Sequence, residues 1–312
     1  MSQKPAAYSR AYAAAVSYAI VIGFSFLFVK LALEAAHPVD TLAHRFTIAL
    51  AAAFIALIAA RQRPVLGWKE ILAILPLALF YPFLFFTFQT FGLVFTTSSE
   101  AGIIHATVPV FTMLLASVFL KERSTWLQKL FTLLTVAGIV SIFVLKGVQF
   151  EAASLTGIVL ILLSALSSAA YTVLARRLTQ RYALLQLTFY MSLIGCIAFN
   201  LMAAARHIAE GTLHQYVEPF THPGYLGAVL YLGVMSSLVS SLLSNYALSI
   251  MAATRMSVFN NLSTMITIVT GAVILGEALQ AFHYIGAAMV IMGVIGASLS
   301  KEKAVRHTRS RR

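Results

Sequence analysis

The chain has 312 residues, 60% of them hydrophobic and only 10% charged, with a mean hydropathy of +0.88. A soluble domain is about a quarter charged, so this composition excludes a water-soluble globular protein and makes lipid the solvent for most of the chain. One cysteine, Cys196, excludes a disulfide or cysteine–metal framework, and the net charge of +12 fits membrane topology better than nucleic-acid binding.

A spanning helix needs about 20 mostly apolar residues. Ten such windows are predicted, at Tyr12–Ala36, Thr41–Ala60, Ile71–Leu93, Ser99–Leu120, Leu127–Leu145, Leu155–Ala175, Leu184–Ala205, Tyr225–Ile250, Met256–Gly276 and Phe282–Ser300. Their length selects helix over strand, and a segment in lipid must satisfy its backbone internally. The start, MSQKPAAYSR, carries Lys4 and Arg10 without a cleavage site and reads as an uncleaved signal-anchor. With the N-terminus in the cytoplasm, 18 of the 22 Lys and Arg fall on that side, among them Arg63, Lys121 and Arg123. The exceptions are Lys30, Arg45, Lys146 and Arg206. That asymmetry predicts an N-in, C-in protein. A loop over Arg206–Pro223 holds His207, His214 and His222, which read as solvated because their spacing matches no compact metal motif. From Lys301 the chain is basic and polar and reads as a disordered cytoplasmic tail resting on anionic lipid.

Two stretches repeat one pattern. VFLKERSTWLQKLFTLLTVAGIV spans Val118–Val140 and VILGEALQAFHYIGAAMVIMGVI spans Val273–Ile295, with Glu122 and Glu277, and Gly138 and Gly293, each 155 positions apart. The chain therefore divides into two five-helix copies, 11–146 and 153–300, followed by the tail 301–312. An odd number of helices per copy places the second upside down. The first copy's turn is basic and the second's lacks Lys and Arg, as such an inversion requires. Inverted repeats are a secondary-transporter architecture, with the substrate site near the midplane between the halves.

Ionisable groups at bilayer depth are site candidates. Lys30 can hold a substrate carboxylate at the cavity mouth, against snorkelling or pairing with Glu34. His44 and Arg45, near the start of helix two, read as interfacial anchors. On helix four, His105 is the titrating candidate for proton coupling, on one face with Pro109 and Thr112. Glu100 is its companion, or an N-terminal dipole residue. Helix three aligns Tyr81, Phe85 and Gln89 for an amphipathic ligand, and Pro76 and Pro82 bend it. Polar faces follow on helix six (Ser164, Ser168, Tyr171), helix eight (Ser237, Ser241, Ser244, Asn245) and helix nine (Asn260, Thr264, Thr267, Gly271). The serines read mainly as close-packing residues. Tyr171, Asn245, Asn260 and Thr264 stand with Lys30, Tyr81, Phe85, Gln89 and His105 as the substrate-binding set. A core this sparse in charge suits a zwitterionic or weakly polar solute better than a polyanion.

The unit resembles the EamA-type repeat of the drug/metabolite transporter superfamily. The motifs that carry the resemblance are GFSFLFVK (Gly23–Lys30), Arg45-Phe46, ATVPVFTMLLASVFLKER (Ala106–Arg123), NYALSIMAATRMSVFNNLSTMITIVTGAVILGE (Asn245–Glu277) and HYIGAAMVIMG (His283–Gly293). It implies ten helices in two inverted repeats and passive or ion-coupled movement of a small metabolite, often export of amino-acid-like compounds, across a bacterial inner membrane. Two departures stand out: Thr264 occupies the second copy's equivalent of Pro109, and Phe24 lies where family members often carry tryptophan. The rival readings are a channel, a receptor or a membrane enzyme. The enzyme reading lacks a catalytic constellation, since Glu100 and His105 diverge by about 140° on a helix, and the motif GxxxxGK[ST] is absent. The expected partners are a small-molecule substrate and the bilayer, without cofactor, metal or nucleic acid; a homodimer is left open.

Overall fold

The computed structural model describes residues 5–62, 67–120, 125–145, 152–256 and 259–309, and among them every regular element is helical. In chain order these are α1 (Pro5–Leu33), α2 (Pro38–Ala59), α3 (Trp68–Ala78), α4 (Phe85–Phe95), α5 (Ser98–His105), α6 (Val108–Leu120), α7 (Trp126–Leu145) and α8 (Ala152–Leu178). There follow α9 (Leu184–Glu210), α10 (Pro223–Leu230), α11 (Ser240–Ile250), α12 (Ala253–Met256), α13 (Phe259–Ile274) and α14 (Ala281–Arg309). Seven described helical spans are long and apolar enough to cross a membrane, and Phe259–Ile274 and Ala281–Gly293 are shorter apolar helices. The chain is thus an all-helical, multi-pass membrane protein. Lys4, Arg63, Lys121, Glu122, Arg123, Lys146, Arg311 and Arg312 lie outside the described residues.

Helices α3 and α4 are joined by a wide π turn, Leu79–Leu84, in which Tyr81 leaves helical geometry (φ −149°, ψ 116°) and Pro82 follows through a cis bond. A second π turn, Tyr231–Val239, joins α10 to α11. The fourth apolar window is broken. Helix α5 stops at His105 and α6 restarts at Val108, because Pro109 has no N–H to donate and disfavours helix just before it. His105 therefore does not share one continuous helical face with Pro109 and Thr112, correcting the expected stripe. At the other end of the chain α14 continues to Arg309, where the composition predicts a disordered tail. The run KEKAVRHTR contains strong helix formers and no Pro or Gly to stop it.

Packing follows a pattern that maps onto itself. Helix α1 packs on α13 and α11, and α8 packs on α6 and α4; α2 pairs with α9, α5 with α13 and α7 with α14. Shifted by 155 positions, the partners of α1 map onto those of α8, and the α2–α9 and α7–α14 pairs map onto themselves. The α7–α14 pair is especially close. A Cβ on Gly138 would fall 2.8 Å from the Met289 Cβ, and one on Gly293 would fall 2.7 Å from the Phe131 carbonyl, so glycine is what lets these backbones meet.

One carboxylate ties the two halves together. Helix α13 ends at Ile274, and Gly276, at φ +66°, turns the chain so that Glu277 points back at the start of α5. Its carboxylate accepts the Ser98 N–H (2.6 Å), the Ser99 N–H (2.8 Å) and the Ser99 hydroxyl (2.5 Å). These are amides a helix start leaves without partners. The next amide, of Glu100, donates to Thr97 Oγ1, and the Glu100 carboxylate accepts from the Thr97 N–H, completing a capping box. Gly271 makes room: a Cβ there would lie 2.5 Å from both Glu277 Oε2 and Ser99 Oγ.

Candidate functional site

The elements converge on a small pocket lined by Tyr18 of α1, Tyr81 of the first π turn, Ser168, Tyr171 and Thr172 of α8, and Ser241 and Ser244 of α11. It has space for about one water molecule. The Tyr81 and Tyr171 rings lie 4.6 Å apart, and Ser241 Oγ is 3.5 Å from the Tyr81 hydroxyl. The Tyr171 hydroxyl donates to Asn245 Oδ1 (2.6 Å), and Asn245 Nδ2 donates to Thr188 Oγ1 (3.2 Å). The Tyr18 hydroxyl donates to Asn260 Oδ1 (3.3 Å). Tyr81, Tyr171, Asn245 and Asn260 are thus brought together from four separate windows.

Phe85 stands behind Tyr81 at 5.1 Å and places its edge against His105 at 5.6 Å, and Phe26 approaches His105 at the same distance. His105 is buried, and among the described residues its Nε2 has no hydrogen-bond partner. Gln89 is likewise buried with an unpartnered Oε1. Thr264 does not line the pocket: its hydroxyl donates to the Gly102 and Asn260 carbonyls, where α13 packs on α5. Lys30 is also distant from it. It is half-buried at the end of α1 within electrostatic reach of Glu277 and Glu100, while Glu34 is exposed. Glu100 serves the helix cap and lies 3.6 Å from His283 Nε2.

Three polar clusters depart from the sequence reading. Arg45 is not an interfacial anchor but fully buried, because α2 begins at Pro38 and so places Arg45 two turns inside the helix. Its Nε donates to Ser237 Oγ and its Nη2 to Ser236 Oγ, both at 2.7 Å, and its Cζ lies 3.8 Å from the centre of the Phe86 ring. His44 is buried too, its Nδ1 2.6 Å from the Tyr225 hydroxyl. His207 is not in a solvated loop, because α9 extends to Glu210 and buries it. There Asp40 Oδ1 is 3.1 Å from His207 Nε2 and Asp40 Oδ2 is 2.5 Å from Arg206 Nη2, joining α2 to α9. Beside them the Tyr216 hydroxyl donates to Asn200 Oδ1 (2.7 Å), and burial and Asp40 push this phenol up to about 12, so it remains a neutral donor. A proline at the first helical position is a start signal, and weighting Pro38 would have revealed the depth of Arg45.

Polar groups gathered between helices at the centre of a multi-pass bundle define a membrane transport protein. Among the described residues no group of three or more His, Cys, Asp or Glu is placed to hold a metal. The chain belongs to the EamA-like transporter family, which matches residues 9–144 and 155–299; it is a transporter, not an enzyme. It is 54% identical over 293 residues, 94% of each chain, to the uncharacterized transporter YcxC of Bacillus subtilis (strain 168). A probable terminal-alkyne amino-acid exporter of Streptantibioticus cattleyicolor is 26% identical over 65% of each chain. An S-adenosylmethionine uptake transporter of Rickettsia bellii is 24% identical over 70% of each. A solved crystal structure with 18% identity has a TM-score of 0.65 over 97% of this chain and 99% of its own, a likeness in fold.

Proposed function

We propose that the protein exports a small zwitterionic or weakly polar solute, amino-acid-like in chemistry, across a bacterial cytoplasmic membrane by alternating access. In this reading ten helices form two inverted repeats, 11–146 and 153–300, with both termini in the cytoplasm. The observation that carries the proposal is the central pocket. Tyr18 and Tyr81 come from the first half of the chain, and Ser168, Tyr171, Thr172, Ser241 and Ser244 from the second. Relative motion of the halves would open such a site to one side and then the other. Hydroxyls, carboxamides and aromatic faces suit ammonium and amide groups, and the amino-acid and S-adenosylmethionine names of two relatives support the class. Tyr81, Tyr171, Asn245 and Asn260 contact the solute, with Phe85 and Gln89 behind them and Lys30 at the charged mouth. His105, one aromatic ring away, couples a proton.

Counterflow in proteoliposomes tests this. Vesicles loaded with amino acids and small amines are given the labelled mixture outside, and uptake is read by mass spectrometry. Accumulation of one class above protein-free vesicles, with trans-stimulation, is expected; its absence across the panel refutes the substrate class. For coupling, His105→Gln abolishes pH-driven accumulation but leaves exchange intact. Unchanged pH-driven flux removes His105 from that role.

A further inference from the structure

Arg45 has no accessible surface, and among the described residues no carboxylate is paired with it. The groups around it are neutral: two serine hydroxyls, the Phe86 face and, at longer range, the phenols of Tyr81 and Tyr231. Its third nitrogen, Nη1, is buried with no hydrogen-bond partner among the described residues. Asp40, a few residues earlier on the same helix, is committed to Arg206 and His207. A guanidinium without a counter-charge is costly at this depth, and two of its donors are already held in fixed directions by Ser236 and Ser237. What remains is an oriented donor awaiting an anion. The barrier between it and the central pocket is thin. Phe86 carries Arg45 on its face and packs 4.9 Å from Tyr81, which lines the pocket at the non-helical residue of the π turn.

We propose that Arg45 is the carboxylate-binding residue of the transport site, its free Nη1 receiving the substrate's carboxylate when Tyr81 rotates away in the substrate-bound state. This rests on the transport reading above and narrows it: the solute bears a carboxylate, and the pocket phenols and carboxamides receive the rest of it. The position 155 residues on is Asn200, so only one half supplies the charge, and the solute has one orientation in the site.

The test is counterflow with matched triples: a neutral amino acid, its carboxamide and its decarboxylated amine. Wild type, Arg45→Lys and Arg45→Gln are compared as full chains in liposomes. A charge-assisted contact of this kind corresponds to a preference of roughly tenfold to a hundredfold for the acid over the amide. Wild type is expected to show that preference, R45K part of it, and R45Q none, with amide and amine flux retained. Two results overturn the proposal: wild type moving acid and amide equally, or R45Q losing both in the same proportion, which is what a mere clamp between α2 and the second π turn would give. If R45Q does not fold, the wild-type ratio and R45K decide. A wild type that moves only carboxylate-free solutes refutes this inference and leaves the transport reading standing, whereas one that moves nothing in the panel refutes both.

Discussion

Replacing Glu277 by Gln isolates one bond between the first half of the chain and the second. The carboxylate accepts three hydrogen bonds from Ser98 and Ser99, at 2.5 to 2.8 Å, on the first two amides of α5. A carboxamide keeps one acceptor and turns an NH2 group toward the donors it replaces. Hydrogen bonds to a charged group contribute about 1.5–3 kcal/mol each, against about 1 for neutral ones. The positive end of the helix adds roughly 0.3–1 kcal/mol for an anion. Glu277 is half-buried, and water replaces part of what is lost, leaving a net cost of about 2 kcal/mol, close to a 30-fold change in an equilibrium constant. Hydrogen–deuterium exchange in nanodiscs reads this directly. Protection of the Ser98 and Ser99 amides should fall by about that factor, while amides in the middle of α2 keep theirs. Gly271→Ala, whose methyl would collide with the same carboxylate, should reproduce the loss without altering Glu277. Unchanged protection at Ser98 and Ser99 in E277Q would refute the view that this carboxylate holds the halves together.

Three further outcomes are expected. Tyr171→Phe leaves the buried Asn245 Oδ1 without its 2.6 Å donor, at about 1–3 kcal/mol, and should raise the half-saturation of counterflow more than it lowers the melting temperature; the reverse order would make Tyr171 a packing residue only. Asp40→Asn removes the anion shared by Arg206 and His207 and should destabilise the α2–α9 pairing by on the order of 3 kcal/mol, read as a lower melting temperature that the double variant with Arg206→Gln partly restores. Gly138→Leu forces a side chain into the Met289 contact and should cost about 1–3 kcal/mol, visible as aggregation or earlier elution on heating in detergent.

Much of this was legible because it is written locally or periodically. Apolar windows announce helices whatever their neighbours, and a 155-residue offset aligns Gly138 with Gly293. The spacing of Tyr81 and Phe85 predicts a shared helical face; their rings lie 5.1 Å apart, but Tyr81 does so from outside helical geometry. What sequence spacing cannot carry is contact across the halves. The offset makes Glu122 and Glu277 equivalents, yet says nothing of Ser98 and Ser99, 179 and 178 residues from Glu277. Depth was misjudged wherever a helix boundary was misplaced. Starting α2 at Thr41 rather than Pro38 brings Arg45 to the surface, and stopping α9 at Ala205 rather than Glu210 leaves His207 in a loop. The break after His105 is also signalled locally, by Pro109 four residues further on.

The intimacy of α7 with α14 has a bearing on where such a chain comes from. Each is the last helix of its half, and each lies against the other through a glycine at the same place in its own sequence. Two separate polypeptides of half this length, related by a two-fold axis, would find the same seam ready-made between their final helices.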